Sequence, residues 1–172
     1  MPRAEWKVAT TWDGQPVSLQ EEVALSLDWD EERAELRVDA PFHDDPPPFG
    51  PPGVKPGLWE YEVVELFLVG LDQRYLEIEI GPHGHHLVLE LHGCRHAIRE
   101  GLALALDVQR EGNRWQATAG FPAAWLPAGL FAANAFAIHG EGRARRFLAA
   151  SALPGPAPDF HQIACFPPLL LS

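Results

Sequence analysis

The sequence predicts an all-β fold, a β-sandwich of jelly-roll type with about 8–11 antiparallel strands. First, seventeen prolines and fifteen glycines divide the 172 residues into pieces that are mostly too short for a long helix. Second, apolar and polar residues alternate within these pieces, as they do in half-buried strands. Third, turn-forming residues separate the alternating runs at nearly regular spacing. The length indicates a single domain, residues 1–172, with a core large enough to fold without staples.

The first predicted elements form a hairpin over residues 21–40. Apolar side chains alternate from Val23 to Leu27, and a second alternating run follows a turn at residues 30–32. A proline-rich loop then extends over residues 41–57. Because its prolines cannot join a ladder of backbone hydrogen bonds, this loop is either a rigid surface connection or a stiff segment held near a ligand.

The rest of the chain is predicted to consist of short strands and one short helix. Turns that contain glycine separate most of the strands from one another. The helix is expected near residues 122–127, beginning at Pro122. The predicted strands cover residues 58–69, 74–80, 86–92, 94–99, 103–110, 114–121, 134–140 and 146–151.

The pattern also predicts a register for the hairpin between the second and third of these strands. Pairing Ile78 with Leu87 keeps the leucines of the two runs on one face and leaves a four-residue loop, residues 81–84. That register places Glu79 opposite His86 on the face away from the core. A glutamate–histidine pair there is a mild cross-strand attraction and also the beginning of a polar site.

Composition excludes several classes of partner. The net charge is −11, and Arg143, Arg145 and Arg146 form the one close group of cationic residues. Binding to phosphates requires many clustered lysines and arginines, so we expect neither a nucleic-acid partner nor an anionic membrane partner. A small polar ligand, a cationic partner or a protein partner stays open.

Cysteine usage and hydropathy point to an ordinary cytoplasmic protein. Cys94 and Cys165 do not belong to a CxxC pair, which disfavours a disulfide scaffold and a cysteine zinc site. The first residues contain no apolar signal core, and no run reaches the ~18 apolar residues of a membrane span. The expected location is therefore the cytoplasm.

Glu65 breaks the apolar pattern of its strand. Val63, Phe67 and Val69 share a strand face with this glutamate. An isolated buried carboxylate costs several kcal/mol, so Glu65 needs a cation, a histidine, backbone N–H groups or a metal. Two interpretations are open: a buried ion pair that fixes the sandwich, or an acid that faces a ligand on a concave sheet.

Histidines supply the second set of candidates. His83, His85 and His86 lie within four residues, but a His-x-His-His run at a turn is not a specific zinc spacing. We therefore assign no metal ligand and predict no cofactor. Whether the three histidines bind a metal is a question that the sequence leaves open. His139 lies on a strand beside small residues, which is consistent with a shallow pocket floor and equally with the close packing of a crossing loop.

Aromatic residues supply the third set. Trp12, Trp59 and Trp125 lie next to turn or proline signals, where flat rings either stack on a sugar or cover the ends of the core. The sequence contains no nucleophile elbow, no phosphate-binding glycine loop and no zinc-protease motif. No catalytic residue is therefore predicted, and an enzymatic function is the less favoured interpretation.

A set of short motifs runs through most of the chain: Thr11-Trp12-Asp13-Gly14, Ala40-Pro41-Phe42, Asp45-Pro46-Pro47, Leu58-Trp59, Tyr61-Glu62-Val63-Val64-Glu65, Tyr75-Leu76-Glu77, Pro82-His83-Gly84, His86-Leu87-Val88, Phe136-Ala137-Ile138-His139-Gly140 and Pro158-Asp159-Phe160-His161. Taken together, these motifs resemble an uncharacterised family that includes a human chromosome-4 open-reading-frame protein. The resemblance covers residues 10–166. It implies a fold similar to family-9 carbohydrate-binding modules and to DOMON-type sandwiches. It does not identify the pair of aromatic rings with which those modules clamp a sugar.

The resulting functional prediction is a non-catalytic, carbohydrate-binding-like module for a small polar ligand. One alternative is a metal-assisted enzyme on a sugar-like substrate, in which His83 and His86 bind metal or carry protons and Glu62 or Glu65 is the general base. Another is a protein-interaction domain that uses a sheet edge or the loop at residues 46–56. The predicted ligand-binding residues are Trp59, Glu62, Glu65, His83, His86, Trp125 and His139.

Overall fold

The computed structural model describes all residues from 1 to 172 and confirms the all-β sandwich. The strands are β1 (Arg3–Val8), β2 (Thr10–Thr11), β3 (Val23–Trp29), β4 (Arg33–Pro41), β5 (Gly53–Val54), β6 (Val63–Val69), β7 (Arg74–Ile80), β8 (His85–His92), β9 (Ala97–Glu100), β10 (Ala105–Glu111), β11 (Arg114–Pro122), β12 (Ala132–His139) and β13 (Arg146–Ala149). Short 3₁₀ helices span Leu58–Glu60, Leu71–Gln73, Ala123–Trp125, Gly142–Ala144 and Ile163–Cys165. None of these helices has the length and apolar character needed to cross a membrane.

Two sheets form the sandwich. The five-stranded sheet has the order β1-β3-β4-β11-β10, and the eight-stranded sheet has the order β2-β13-β12-β6-β7-β8-β5, with β9 also paired to β8. All pairings are antiparallel except that of β5 with β8. The antiparallel arrangement lets short turns connect most neighbouring strands, as the glycine-rich sequence predicts.

The eight-stranded sheet is buried on both faces. Its inner face packs on the five-stranded sheet through residues such as Leu66, Leu76 and Ile78. Its outer face carries a second apolar cluster that includes Phe67 and Phe136. As a result, every residue of β6 is buried, and its sequence reads as a nearly continuous apolar run.

The C-terminal segment and a loop cover part of this outer face. Phe160 stacks on Phe136 with ring centroids 4.0 Å apart, and Phe166 packs against the same cluster. Leu58, in the 3₁₀ helix before β6, is fully buried there. Each large ring removed from water contributes roughly 1.5–3 kcal/mol, which holds these irregular segments against the sheet.

The predicted register of the β7–β8 hairpin is wrong by one residue. Ile78 pairs with Val88 rather than Leu87, and Glu79 pairs with Leu87 rather than His86. The connection between the two strands still spans residues 81–84, as predicted, and the Gly81 N–H donates to the carbonyl oxygen of His85 at 2.9 Å. Since both faces of this sheet are apolar, alternation alone does not choose between the two registers.

Several element boundaries also differ from the sequence prediction. Residues 58–60 form a 3₁₀ helix instead of the start of a strand, and the N-terminal strand β1 was not predicted. The hairpin over residues 21–40 is confirmed by the pairing of β3 with β4. The short helix near residues 122–127 is confirmed as the 3₁₀ helix Ala123–Trp125.

The β7–β8 turn predicts a specific glycine requirement. Gly84 has a φ of +86°, and a Cβ there would lie 3.1 Å from the Cβ of Pro52. Gly112 has a φ of +61° with open space around it, so it controls for backbone strain alone. We expect Gly84→Ala to lower the free energy of unfolding by about 1–2 kcal/mol, and by more than Gly112→Ala does. Urea unfolding measures both, and equal losses would show that the contact with Pro52 gives way freely.

Candidate functional site

A cavity of about 820 Å³ opens over the outer face of the eight-stranded sheet. Its floor is formed by side chains of β6, β7 and β8, including Glu65, Glu77 and Leu89. Its walls include the rings of Trp59 and Phe147. We call it the outer-face pocket. The pocket is therefore built on rigid strands and bordered by less regular segments.

Three glutamates converge in and beside the floor of the pocket. Glu65 on β6 lies directly opposite Glu79 on β7, and Glu77 shares a face with Glu79 because strand side chains repeat with a period of two. They are 2%, 3% and 0% exposed for Glu65, Glu77 and Glu79 respectively. One carboxylate oxygen from each lies within 4.8 Å of the other two. These three residues are the Glu cluster, and they are the donors in this chain best placed to hold a metal.

No cationic side chain neutralises the cluster by a close ion pair. The Arg145 guanidinium donates instead to the carbonyl oxygens of Glu60, at 2.9 Å, and of Trp59. Arg95, the other arginine of the pocket, pairs with Asp159 at 2.7 Å. Four cluster oxygens consequently have no hydrogen-bond partner: Glu65 Oε1, Glu77 Oε2, Glu79 Oε1 and Glu79 Oε2. The prediction that Glu65 is buried is confirmed, and the ion-pair interpretation is not.

Burial and mutual repulsion keep protons on the Glu cluster. Burial raises the pKa of Glu65 well above the usual range, and the charge of Glu77 raises it further. Burial raises the pKa of Glu79 in the same way, with Glu65 and Glu77 adding to the effect. Burial also raises the pKa of Glu77 to about 7. At neutral pH the cluster therefore shares protons rather than carrying three charges.

A tyrosine and a histidine support the cluster from one side. The Arg95 backbone N–H donates to the hydroxyl oxygen of Tyr75 at 3.0 Å, and that hydroxyl lies 2.7 Å from Nδ1 of His161. Burial lowers the pKa of His161 to about 4, so the imidazole is neutral at pH 7. We assign the hydroxyl proton to the bond with Nδ1, which leaves the ring proton on Nε2, 3.7 Å from Oε2 of Glu77. A fixed N–H dipole thus faces this carboxylate.

Trp59 provides an exposed aromatic surface beside the acidic floor. Its side chain belongs to the 3₁₀ helix Leu58–Glu60 and is 48% exposed. The forked donation from Arg145 to the carbonyl groups of Trp59 and Glu60 fixes this short helix. The Trp59 backbone N–H is close enough to Glu79 to lower its pKa slightly. The wall and the floor of the pocket are therefore in contact.

Of the seven residues predicted to bind ligand, Trp59 and Glu65 line the outer-face pocket. Glu62 and His139 lie in a small cavity between the sheets. The Glu62 carboxylate accepts the His43 backbone N–H at 2.9 Å, and burial raises the pKa of Glu62 to about 7. Nε2 of His139 lies 3.0 Å from Oε1 of Glu21. Both residues therefore have partners within the fold.

The remaining three predicted residues lie elsewhere. His83 packs its ring edge-on against Phe42, and Trp125 stacks on Phe121. The Leu104 backbone N–H donates to Nε2 of His86 at 3.1 Å.

The structure brings one group of metal-ligating side chains together, and it is the Glu cluster. No other group of three or more histidine, cysteine, aspartate or glutamate residues converges in this way. His83, His85 and His86 therefore do not form a shared site in this conformation.

Sequence reasoning missed most of the pocket. Glu79 was predicted to lie on the face away from the core, and nothing in the alternation indicated that this face is buried. Arg145 was considered only as part of a cationic group. His161 was quoted as part of a family motif without a role. Contact between His161 and Tyr75 spans 86 positions and leaves no local signal.

Comparison with curated proteins shows the family. The chain is 41% identical over 174 residues to the UPF0462 protein C4orf33 homolog of Rattus norvegicus, with 95% of this chain and 86% of the relative covered. It is 38% identical over 172 residues to UPF0462 protein C4orf33 of Homo sapiens, with 94% and 85% covered. The chain belongs to the UPF0462 family. No family model matches the chain.

Solved structures share the fold of this UPF0462 protein. A putative carbohydrate-binding protein from Bacteroides uniformis aligns with a TM-score of 0.68 at 15% identity, covering 94% of this chain and 83% of that one. A family-9 carbohydrate-binding module from Caldicellulosiruptor kristjanssonii, in complex with cellotriose, aligns with a TM-score of 0.52 at 12% identity, covering 86% and 72%. At these identities the likeness establishes a common β-sandwich fold.

The Glu cluster predicts a characteristic dependence of stability on pH. Above about pH 7.5, unfolded glutamates are ionised and unfolded histidines are mostly neutral. Because burial raises the pKa of Glu65 and Glu79 only in the folded state, the free energy of unfolding should fall as pH rises above about 7.5. Each retained proton corresponds to about 1.4 kcal/mol per pH unit. At lower pH, His161 has the opposite effect on the free energy of unfolding. Its pKa is about 4 in the folded state, so between about pH 4 and 6.5 the unfolded histidine binds the extra proton and stability rises with pH.

Urea unfolding in EDTA-containing buffer tests this dependence. Glu79→Gln should flatten the slope and raise the free energy of unfolding at high pH, because the amide removes one buried acid. Glu100→Gln is the matched control, since Glu100 is an exposed residue of the same pocket. The explanation is wrong if the parent gains stability as pH rises above about 7.5, or if Glu79→Gln retains the slope of the parent.

Proposed function

We propose that the outer-face pocket binds a small carbohydrate or a related polyol without transforming it. The observation that carries the proposal is a buried acidic floor with unpartnered oxygens beside the exposed ring of Trp59. A sugar presents hydroxyl donors along its edges and a C–H face above its ring. The pocket offers one complementary surface for each of these features.

The floor suits hydroxyl groups for a chemical reason. A buried carboxyl oxygen without a partner accepts a hydroxyl proton strongly, because the surroundings exclude the water that would otherwise compete for it. Glu65 and Glu77 both line the pocket and each has an oxygen with no partner. Since they lie on neighbouring strands, they match adjacent hydroxyl groups on one ring.

The size and the walls of the pocket also suit such a ligand. About 820 Å³ falls within the 300–1,000 Å³ of ordinary small-molecule pockets. Trp59, Phe147 and Phe160 supply aromatic surface on the walls, as sugar-stacking sites require. The two structural neighbours support the proposal, because one is described as carbohydrate-binding and the other was solved with cellotriose.

Replacing Trp59 tests the proposal directly. The probes are monosaccharides, short oligosaccharides and sugar phosphates, screened by thermal shift and measured by calorimetry. We expect Trp59→Ala to weaken binding of any hit at least about tenfold, equivalent to 1.4 kcal/mol, while the protein stays folded because this ring is half-exposed. Trp125→Ala is the control, since Trp125 lies outside the pocket.

The outcomes of this experiment are distinct. Loss of binding in Trp59→Ala with retention in Trp125→Ala supports the outer-face pocket. The reverse pattern transfers the site to the surroundings of Trp125 and contradicts the proposal, as does equal binding by both variants and the parent. Release of a new product from the bound sugar would replace the binding module with an enzyme.

Arg145 is expected to act as a positioning residue for Trp59. Its guanidinium reaches the carbonyl groups of Trp59 and Glu60 together, which a lysine ammonium cannot reproduce. Arg145→Lys should therefore weaken sugar binding several-fold and raise the mobility of the Trp59 ring, measured as the part of the tryptophan fluorescence anisotropy that is lost in Trp59→Phe. Arg143→Lys, at an exposed neighbour, is the control. An unchanged anisotropy in Arg145→Lys would contradict this role.

A further inference from the structure

We infer that the Glu cluster is a binding site for a divalent cation that prefers oxygen ligands, with Ca²⁺ as the best match. The cation site goes beyond sugar binding: it shares Glu65 and Glu77 with the proposed sugar site and adds Glu79, and it is tested with the ion alone. It rests on the geometry of three donors, on their uncompensated burial and on the groups that surround them.

The donor set has the chemistry and the spacing of a cation site. Glu65, Glu77 and Glu79 each contribute an oxygen, and these oxygens all lie within 4.8 Å of one another. Such oxygens can share one Ca²⁺ ion, whose coordination is flexible at ligand distances of 2.3–2.6 Å, whereas Mg²⁺ demands nearly ideal octahedral geometry. Carboxylate oxygens without thiolates favour a hard ion over copper or iron.

Burial without a partner is the second, separate observation. Glu79 is fully buried, and neither of its oxygens has a hydrogen-bond partner. Buried carboxylates in folded proteins are normally paired, hydrogen-bonded or bound to a metal. A surface cluster of acids would need no such explanation, since water would satisfy it. Here the fold holds the oxygens against one another and away from solvent.

The two arginines of the pocket do not form close ion pairs with the Glu cluster. Arg145 is near enough to Glu65 to lower its pKa, yet its hydrogen bonds go to main-chain carbonyl groups. Arg95 is paired with Asp159. A divalent ion would leave a single negative charge on three ionised carboxylates, which the neighbouring Arg145 guanidinium balances across a short distance.

Glu77 also has the outer support that ligating carboxylates usually show. The neutral imidazole of His161 faces it at 3.7 Å, and the Tyr75 hydroxyl fixes the orientation of that ring. Such outer groups hold a ligand in place and favour its ionised form. The other charged or titratable residues around the cluster are Glu60, Arg95, Glu100 and Arg145.

Calorimetry with the ion alone tests the inference. Untagged protein, treated with EDTA and dialysed, is titrated with CaCl₂, MgCl₂, MnCl₂ and ZnCl₂. We expect saturable binding of one ion per chain, with Ca²⁺ tightest. Glu65→Gln, Glu77→Gln and Glu79→Gln should each weaken it at least tenfold, while Glu111→Gln, at an exposed position on β10 of the other sheet, binds like the parent. The glutamine variants should fold, because each removes a buried charge rather than a partner.

Terbium luminescence provides a second readout that does not depend on stability. Tb³⁺ substitutes for Ca²⁺ and emits when a nearby tryptophan is excited, and Trp59 lines the same pocket. Emission should appear in the parent, fall when Ca²⁺ is added and drop strongly in Trp59→Phe. Trp125→Phe is the control, since its ring lies outside the pocket.

The inference is overturned if no ion binds at millimolar concentration, or if all three glutamine variants bind as tightly as the parent. It is also overturned if Glu111→Gln loses binding while the cluster variants retain it. Failure of this test leaves sugar binding to a protonated cluster unaffected. Conversely, the absence of any sugar hit would not contradict the cation site, because neither the calorimetric titration nor the terbium measurement contains a sugar.

Discussion

The outer-face pocket depends on a constraint set by the eight-stranded sheet, which has no face open to water along its central strands. A strand in this position must present apolar side chains on both sides, and β6 does so along its whole length except at Glu65. The pleat fixes where Glu65, Glu77 and Glu79 lie, so none of them can swing out to solvent. Their charge must be settled locally, by protons, by a ligand or by an ion.

The pocket combines a fixed floor with walls of a different kind. The floor side chains come from neighbouring strands whose backbone ladder sets their separation. The walls come from the 3₁₀ helix that carries Trp59 and from the C-terminal segment that carries Phe160 and His161. Arg145 joins these parts, since it anchors the Trp59 helix while its charge acts on Glu65. In a site built this way, the strands hold the floor carboxylates in fixed positions, and the wall segments determine which ligand shapes fit.

Much of the fold could be predicted from the sequence, because alternation and turn residues are local signals. The same alternation identified Glu65 as a carboxylate on an apolar face. It failed for the register of β7 and β8, since both faces of that hairpin are buried and leucines suit either one. The β1 strand was missed although Ala4 and Val8, which are buried, alternate with charged residues.

Most of the pocket could not be predicted, for a different physical reason. Its polar groups meet through long-range contacts, such as that of Tyr75 with His161, and periodicity carries no information about such pairs. Several predicted residues were chosen because polar side chains in a strand suggest a site. For the Glu62 carboxylate and for Nε2 of His86, backbone N–H groups in the fold are the hydrogen-bond partners instead. A polar residue in a strand therefore signals burial with a partner as readily as it signals a ligand.

The proline-rich loop has a consequence for how these molecules behave in a crowded solution. The loop contains β5, which pairs with the first residues of β8, and β9 pairs with the later residues of β8. These two short strands therefore cover the β8 edge of the sheet. The opposite margin of the sheet ends in β2, which is two residues long. Neither margin offers a long row of free N–H and C=O groups, so another chain has little to extend. The sheet with the most apolar surface is thereby protected against growth into fibres.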